Sequence, residues 1–147
     1  MRGRTASIIV LAVSAAGLAV SIYLTIAHYT SPRLLACGEN GVVNCEKVTT
    51  SQQATFVGVP VALLGIGFFA AMFVLSLPAI VDRPGMRAAR LILACVGMAF
   101  VLWLIYAEIA LIGAICLWCT FVHLCTFAIF VAVLVEASRP AVPASQR

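Results

Sequence analysis

Four long apolar runs separated by short polar or charged breaks organise the chain: about Ala6–Tyr29, about Phe56–Val81, about Leu91–Leu111 and about Ile115–Val135. Each comes close to the roughly 20 residues that a helix needs to cross about 30 Å of hydrocarbon. Arg83-Pro84-Gly85 is the clearest turn between runs and Gly113-Ala114 the tightest. The pattern predicts an all-α integral membrane protein, a four-transmembrane-helix bundle over residues 1–137 with redox-capable cysteines in an outer loop. Residues 138–147, rich in Pro, Ala and Ser, read as a disordered cytoplasmic tail. Arg2 and Arg4 precede the first run, but that run exceeds the ~7–15 apolar residues of a cleavable signal core, so it is expected to be a retained anchor. Ser14, Gly17 and Ser21 within it read as small residues for close helix packing.

Composition agrees with the pattern. Hydrophobic residues make up 64% of the 147, with a mean hydropathy of +1.16, against roughly 45–50% for a soluble domain. The charges then orient the runs. Arg2, Arg4, Arg83, Arg87, Arg90, Arg139 and Arg147 fall at the N-terminus, the second break and the tail, while only Arg33 and Lys47 fall on the other side. By the positive-inside rule both termini and the loop Asp82–Arg90 are cytoplasmic, and the loop from about Thr30 to Thr55 and the hairpin before Cys116 face outward. The net charge of +4 follows from this topology and calls for no nucleic-acid partner.

Four of the six cysteines share the outward side. Cys116-Leu117-Trp118-Cys119 stands at the mouth of the last run. Thiols two residues apart can close into a disulfide or bind a metal, and their place at a membrane surface points to electron exchange with something dissolved in lipid. The free N–H groups and positive dipole end of a starting helix stabilise a thiolate there. At i and i+3 the two sulfurs lie on one face, Cys116 toward the loop and Cys119 toward the interior. Cys37 and Cys45 flank an Asn40-Gly41 turn signal that folds them toward a disulfide, and the spacing equally permits a loop mobile enough to carry one cysteine to Cys116. Thr49, Thr50 and Ser51 read as an N-cap cluster with Ser51 the cap.

Other residues have two readings each. Trp118 suits the interfacial aromatic belt. His123 is an ionisable group in an uncharged run, which points to a ligand-contacting or proton-handling role against a structural one. Glu108 reads as a carboxylate snorkelling to water, with proton transfer as the second reading. Cys95 and Cys125 read as buried small hydrophobes. Two rival classes remain: a four-thiolate metal site, disfavoured by a loop spacing wider than structural zinc uses, and a non-catalytic scaffold with two structural disulfides.

The loop cysteines eight positions apart, the stretch Thr50–Gly65 (Thr-Ser-Gln-Gln-Ala-Thr-Phe-Val-Gly-Val-Pro-Val-Ala-Leu-Leu-Gly) and the final Cys-Leu-Trp-Cys follow one another in an order that closely resembles the vitamin K epoxide reductase family, over about residues 6–135. The chain looks like the bacterial branch, in a stand-alone form without a fused thioredoxin-like domain. That resemblance implies a multi-pass enzyme of the bacterial cytoplasmic membrane, a thiol:quinone oxidoreductase. It would oxidise an extracytoplasmic thioredoxin-fold partner and pass electrons to membrane quinone, menaquinone or ubiquinone, with no metal. By the same resemblance Cys37 and Cys45 are the shuttle pair, and Cys116 and Cys119 the active-site pair, with Cys119 facing quinone. Ser51 would by the same match help shape the pocket, while Trp118 and His123 are, from their places beside Cys119, candidate contacts for the quinone as second readings to the aromatic belt and to a structural histidine. Animal members carry a tyrosine where this chain has His123, and their asparagine near the start of the second helix has no clear match. An alternative within the family is a reductase whose main product is vitamin K hydroquinone.

Overall fold

The computed structural model describes residues 2–31, 34–37 and 41–138. Helix α1 (Arg2–Tyr29) leads through a short loop to α2 (Cys45–Thr49), a 3₁₀ turn at Gln52–Ala54, and a hairpin of β1 (Thr55–Phe56) and β2 (Val59–Pro60). Then come α3 (Val61–Leu75), α4 (Pro78–Val81), α5 (Met86–Tyr106) passing into a π-helical turn at Ala107–Ile112, and α6 (Leu117–Ala137). Among the described residues three helices are long and apolar enough to cross a membrane: Thr5–Tyr29, Met86–Ile112 and Leu117–Ala137. Their outward faces are apolar too. Ile8, Ile92, Val96 and Leu124 are each 60–63% exposed, and a helix that is hydrophobic all round belongs in lipid or a large core.

The second apolar run is not one continuous helix. Its start, Phe56–Pro60, lies in the hairpin, paired antiparallel as Thr55↔Pro60 and Phe56↔Val59. The two turn residues, Val57 and Gly58, have φ of 52° and 80°, the positive values that a two-residue primed turn demands. Helix α3 then runs for only 15 residues. Leu77 precedes Pro78 and adopts ψ 139°, because the proline ring disfavours helical backbone in the residue before it. The rest of the run forms the short α4.

The break before α5 is also shorter than expected. Gly85, at φ 83°, starts the helix at Met86, so Arg87 and Arg90 belong to α5 and not to a loop. Arg90 is buried, and its Nη1 donates to Glu136 Oε2 on α6 at 3.0 Å.

Helix α1 packs between α3 and α6, and α5 packs on α6. Small residues let α1 come close. The Phe69 ring of α3 occupies the space a side chain at Gly17 would need, and a Cβ on Gly65 would stand 2.8 Å from the Ser21 hydroxyl. Ser14 and Ser21 are buried at this seam, the close packing expected of them. One apolar core gathers Val10, Phe69, Met72, Ala94, Ile129 and Val133. The second, where α1 ends and α6 begins, gathers Leu24, Ala27, Leu35, Val48 and Ala114 with Cys45 and Cys116.

Candidate functional site

The second core is built by pinning the loop to the segment before α6. Val43 and Ile115 form a parallel bridge: Ile115 N–H donates to the Val42 carbonyl at 2.9 Å, and Asn44 N–H to the Ile115 carbonyl at 3.0 Å. Asn44 then caps α2, its Oδ1 accepting from Lys47 N–H at 2.8 Å. An Asx side chain in this position satisfies a helix-start donor that would otherwise be orphaned, so α2 begins at Cys45. Cys45 is almost wholly buried and joined in a disulfide to Cys37, with a Cα–Cα distance of 6.0 Å. On the α1 side the Tyr23 hydroxyl donates to the Leu34 carbonyl at 2.6 Å. Of the turn expected between the two cysteines, Gly41 has φ 50°, while Asn40 lies outside the described residues.

Cys116 is fully buried and is the N-cap of α6, its Sγ accepting from Cys119 N–H at 3.4 Å. Its thiol is held below the usual range. The hydrogen bond from the Cys119 side chain is the largest cause, and it outweighs the opposing effect of burial. Cys119, one turn on, packs against the same core. All four sulfurs thus meet at one end of the bundle, the outer pair as a disulfide and the inner pair as thiols.

Beneath them lies a cavity of about 140 Å³ between α1, α3, α5 and α6, covered by residues 48–54. Phe68, Phe69, Phe100 and Leu104 give it an apolar wall. An apolar cavity of roughly 150 Å³ holds one benzene, so this one suits a single planar ring. Of the four motif cysteines, only Cys119 lines it.

Ser51 and His123 line the cavity as well, and His123 is buried. Trp118 does not; its ring meets Tyr23 edge-on, centroids 5.0 Å apart. Ser51 stands at the N-cap position of the 3₁₀ turn but makes no capping bond. Its hydroxyl turns back to the Val48 carbonyl at 2.7 Å, and Thr49 and Thr50 likewise bond the Cys45 and Glu46 carbonyls of α2. The cluster closes the preceding helix, because hydroxyls three or four residues along reach its unpaired carbonyls. Glu108 does not snorkel. The π turn carries it inward, where it is buried near the Cys116 backbone and lines the cavity. Cys95 is exposed on the outside of α5, whereas Cys125 is buried as expected. His28 and Gln53 also line the cavity, and sequence reasoning missed both. For His28 a signal existed: Ser21, Leu24 and His28 recur at i, i+3 and i+7, one face of α1. Among the described residues no group of three His, Cys, Asp or Glu side chains is placed to hold a metal ion.

A family model described as the vitamin K epoxide reductase family matches residues 8–134. The chain belongs to this family. No curated protein matches it in direct sequence comparison. Membership of the vitamin K epoxide reductase family makes this a membrane redox enzyme acting on thiols and quinones, and the cluster of two cysteine pairs over a ring-sized cavity is the part of the molecule suited to that chemistry.

Proposed function

We propose that the protein is a thiol:quinone oxidoreductase that supports disulfide formation, taking electrons from an extracytoplasmic thioredoxin-fold protein at Cys37 and Cys45 and delivering them through Cys116 and Cys119 to membrane quinone. The observation that carries this reading is the juxtaposition of the four sulfurs in one cluster, with Cys119 alone among them opening on the cavity. In this reading residues 1–137 form one bacterial cytoplasmic-membrane domain, with α3 and α4 together completing a fourth crossing and both termini cytoplasmic.

The cycle begins with the partner's dithiol reducing the Cys37–Cys45 disulfide and leaving as a disulfide. Cys45 thiolate attacks Cys116 of the inner disulfide, giving a Cys45–Cys116 bond and a Cys119 thiolate. That thiolate engages quinone. Cys37 then attacks Cys45, re-forming the outer disulfide and releasing Cys116, which joins Cys119 as two electrons pass to the ring. Two thiol protons and two electrons leave the partner, and quinol receives both. The arrangement of an outer disulfide with inner thiols corresponds to the stage before quinone reduction. The low-lying Cys116 thiol suits it as both the attacked and the leaving sulfur.

The test is quinol formation by the purified protein in lipid vesicles, supplied with a reduced thioredoxin-fold protein or with dithiothreitol. Cys37→Ala should lose the protein donor and keep activity with the small dithiol, whereas Cys119→Ala should lose both. Near-normal quinone reduction by Cys119→Ala would overturn the reading.

A further inference from the structure

Glu108 is a carboxyl that the relay above leaves unused, and the fold goes to some length to bury it. Helix α5 gives way at Ala107 to a π-helical turn, a rare form found often at functional sites. In that turn the Glu108 carbonyl accepts from both Gly113 and Ala114, the latter at 3.1 Å, and Gly113 closes it at φ 64°. The result is a side chain only 6% exposed. Its carboxyl lies near the Cys116 backbone N–H and is close enough to act electrostatically on the Cys116 and Cys119 sulfurs. It also lines the cavity beside Cys119 and His123. Among the described residues no cation pairs with it; the one ion pair, Arg90 with Glu136, is elsewhere. A buried carboxyl without a cation is costly to keep charged, so a structural purpose alone would be better served by an amide.

We infer that Glu108 is the proton carrier of the thiol–quinone centre, passing a proton from the inner cysteine pair to a quinone oxygen as the Cys116–Cys119 bond forms. This rests on the reading of the site as a thiol:quinone centre. As the sulfurs join, two electrons move to the ring and its oxygens become basic. The two thiols release two protons: protonated Glu108 gives one oxygen its proton and is reprotonated by the first, the second goes to the other oxygen, and Glu108's own charge is unchanged over the cycle. The other titratable groups facing it are His28 of α1 and Cys119 and His123 of α6, with Cys116 at the α6 cap. Helix α3 contributes none to the cavity, and Glu46 and Lys47 of α2 do not line it.

The experiment is dithiothreitol-driven reduction of a short-chain ubiquinone by the vesicle-embedded protein across a pH series. It compares wild type, Glu108→Gln and Glu108→Asp, with Cys119→Ala alongside. Glutamine keeps the size of the side chain and its acceptor oxygen and cannot carry the proton. Quinol formation by Glu108→Gln should fall roughly a hundredfold, the scale of a lost general acid, while dithiothreitol still opens its Cys37–Cys45 disulfide at the wild-type rate. Glu108→Asp should regain about a tenth or more of wild-type activity. The decline of the wild-type rate on the alkaline side, where the carrier loses its proton, should be absent from the residual Glu108→Gln activity. An unchanged rate, a retained alkaline decline, or equal losses in Glu108→Gln and Glu108→Asp would each overturn the inference. The first would leave Glu108 idle, the second would assign the proton to His28 or His123, and the third would make the residue structural. An active Cys119→Ala would instead overturn the site on which the inference stands.

Discussion

Cys116 combines two roles in one sulfur. As N-cap it satisfies a backbone donor of α6, and the same electropositive helix start, with the Cys119 thiol bonded to it, favours the thiolate. Burial limits indiscriminate reactivity, since Cys116 has no exposed surface. His123 sits four residues beyond Cys119 and opens on the same cavity. His123→Leu should leave α6 inserted and the loop disulfide exchangeable, and either raise the quinone KM or lower turnover by several-fold. Steady-state kinetics with a short-chain quinone checks this, and unchanged constants would return His123 to a packing role.

At the scale of elements, α2 is a piece whose position matters to the site and whose own stability is slight. Five residues cannot hold a helix by propensity. The Asn44 cap, the disulfide and the Val43–Ile115 bridge hold it over the α6 start. Asn44→Ala should therefore cost about 1 kcal/mol locally, the usual worth of such a cap. Amide exchange over residues 45–49 should speed up and oxidation of a protein donor should slow several-fold, with dithiothreitol-driven quinone reduction little changed. Equal slowing with both donors would mean that the cap supports the cavity, not the relay. The break at Pro78 belongs to this scale too. It ends α3 after 15 residues and leaves α4 to turn the chain toward α5.

The whole molecule is polarised. The sulfurs, the cavity and α2 occupy one end, and the Arg90–Glu136 pair ties α5 to α6 far along both helices from it. Arg83 and Arg87 are exposed near that second end, and in the proposed topology the positive-inside rule makes it the cytoplasmic one. A membrane-impermeant thiol reagent added to intact, reduced cells should then label Cys37 or Cys45. Labelling that requires the inner face to be opened would reverse the topology and remove the basis for oxidising an extracytoplasmic partner.

Local chemistry was enough to read the membrane class, the small-residue seam at Ser14, Gly17 and Ser21, and the family. Apolar length, side-chain size and cysteine spacing are properties of the residues themselves. The second run shows the limit of that reading. Its hydropathy is continuous, and backbone constraints at Val57-Gly58 and Leu77-Pro78, not hydropathy, set where its helices begin and end. Ser51 was legible as a cavity neighbour only through the family resemblance, and its hydroxyl bonds backward because the carbonyls of α2 are closer partners than the turn ahead. Three facts belonged to the tertiary structure alone. The π turn aims Glu108 inward, the bridge to Ile115 seats Cys45 beside Cys116, and the α1 face of Ser21, Leu24 and His28 becomes a cavity wall. Each depends on groups brought together from distant parts of the chain, whose shared burial decides which hydrogen bonds and which side-chain directions survive.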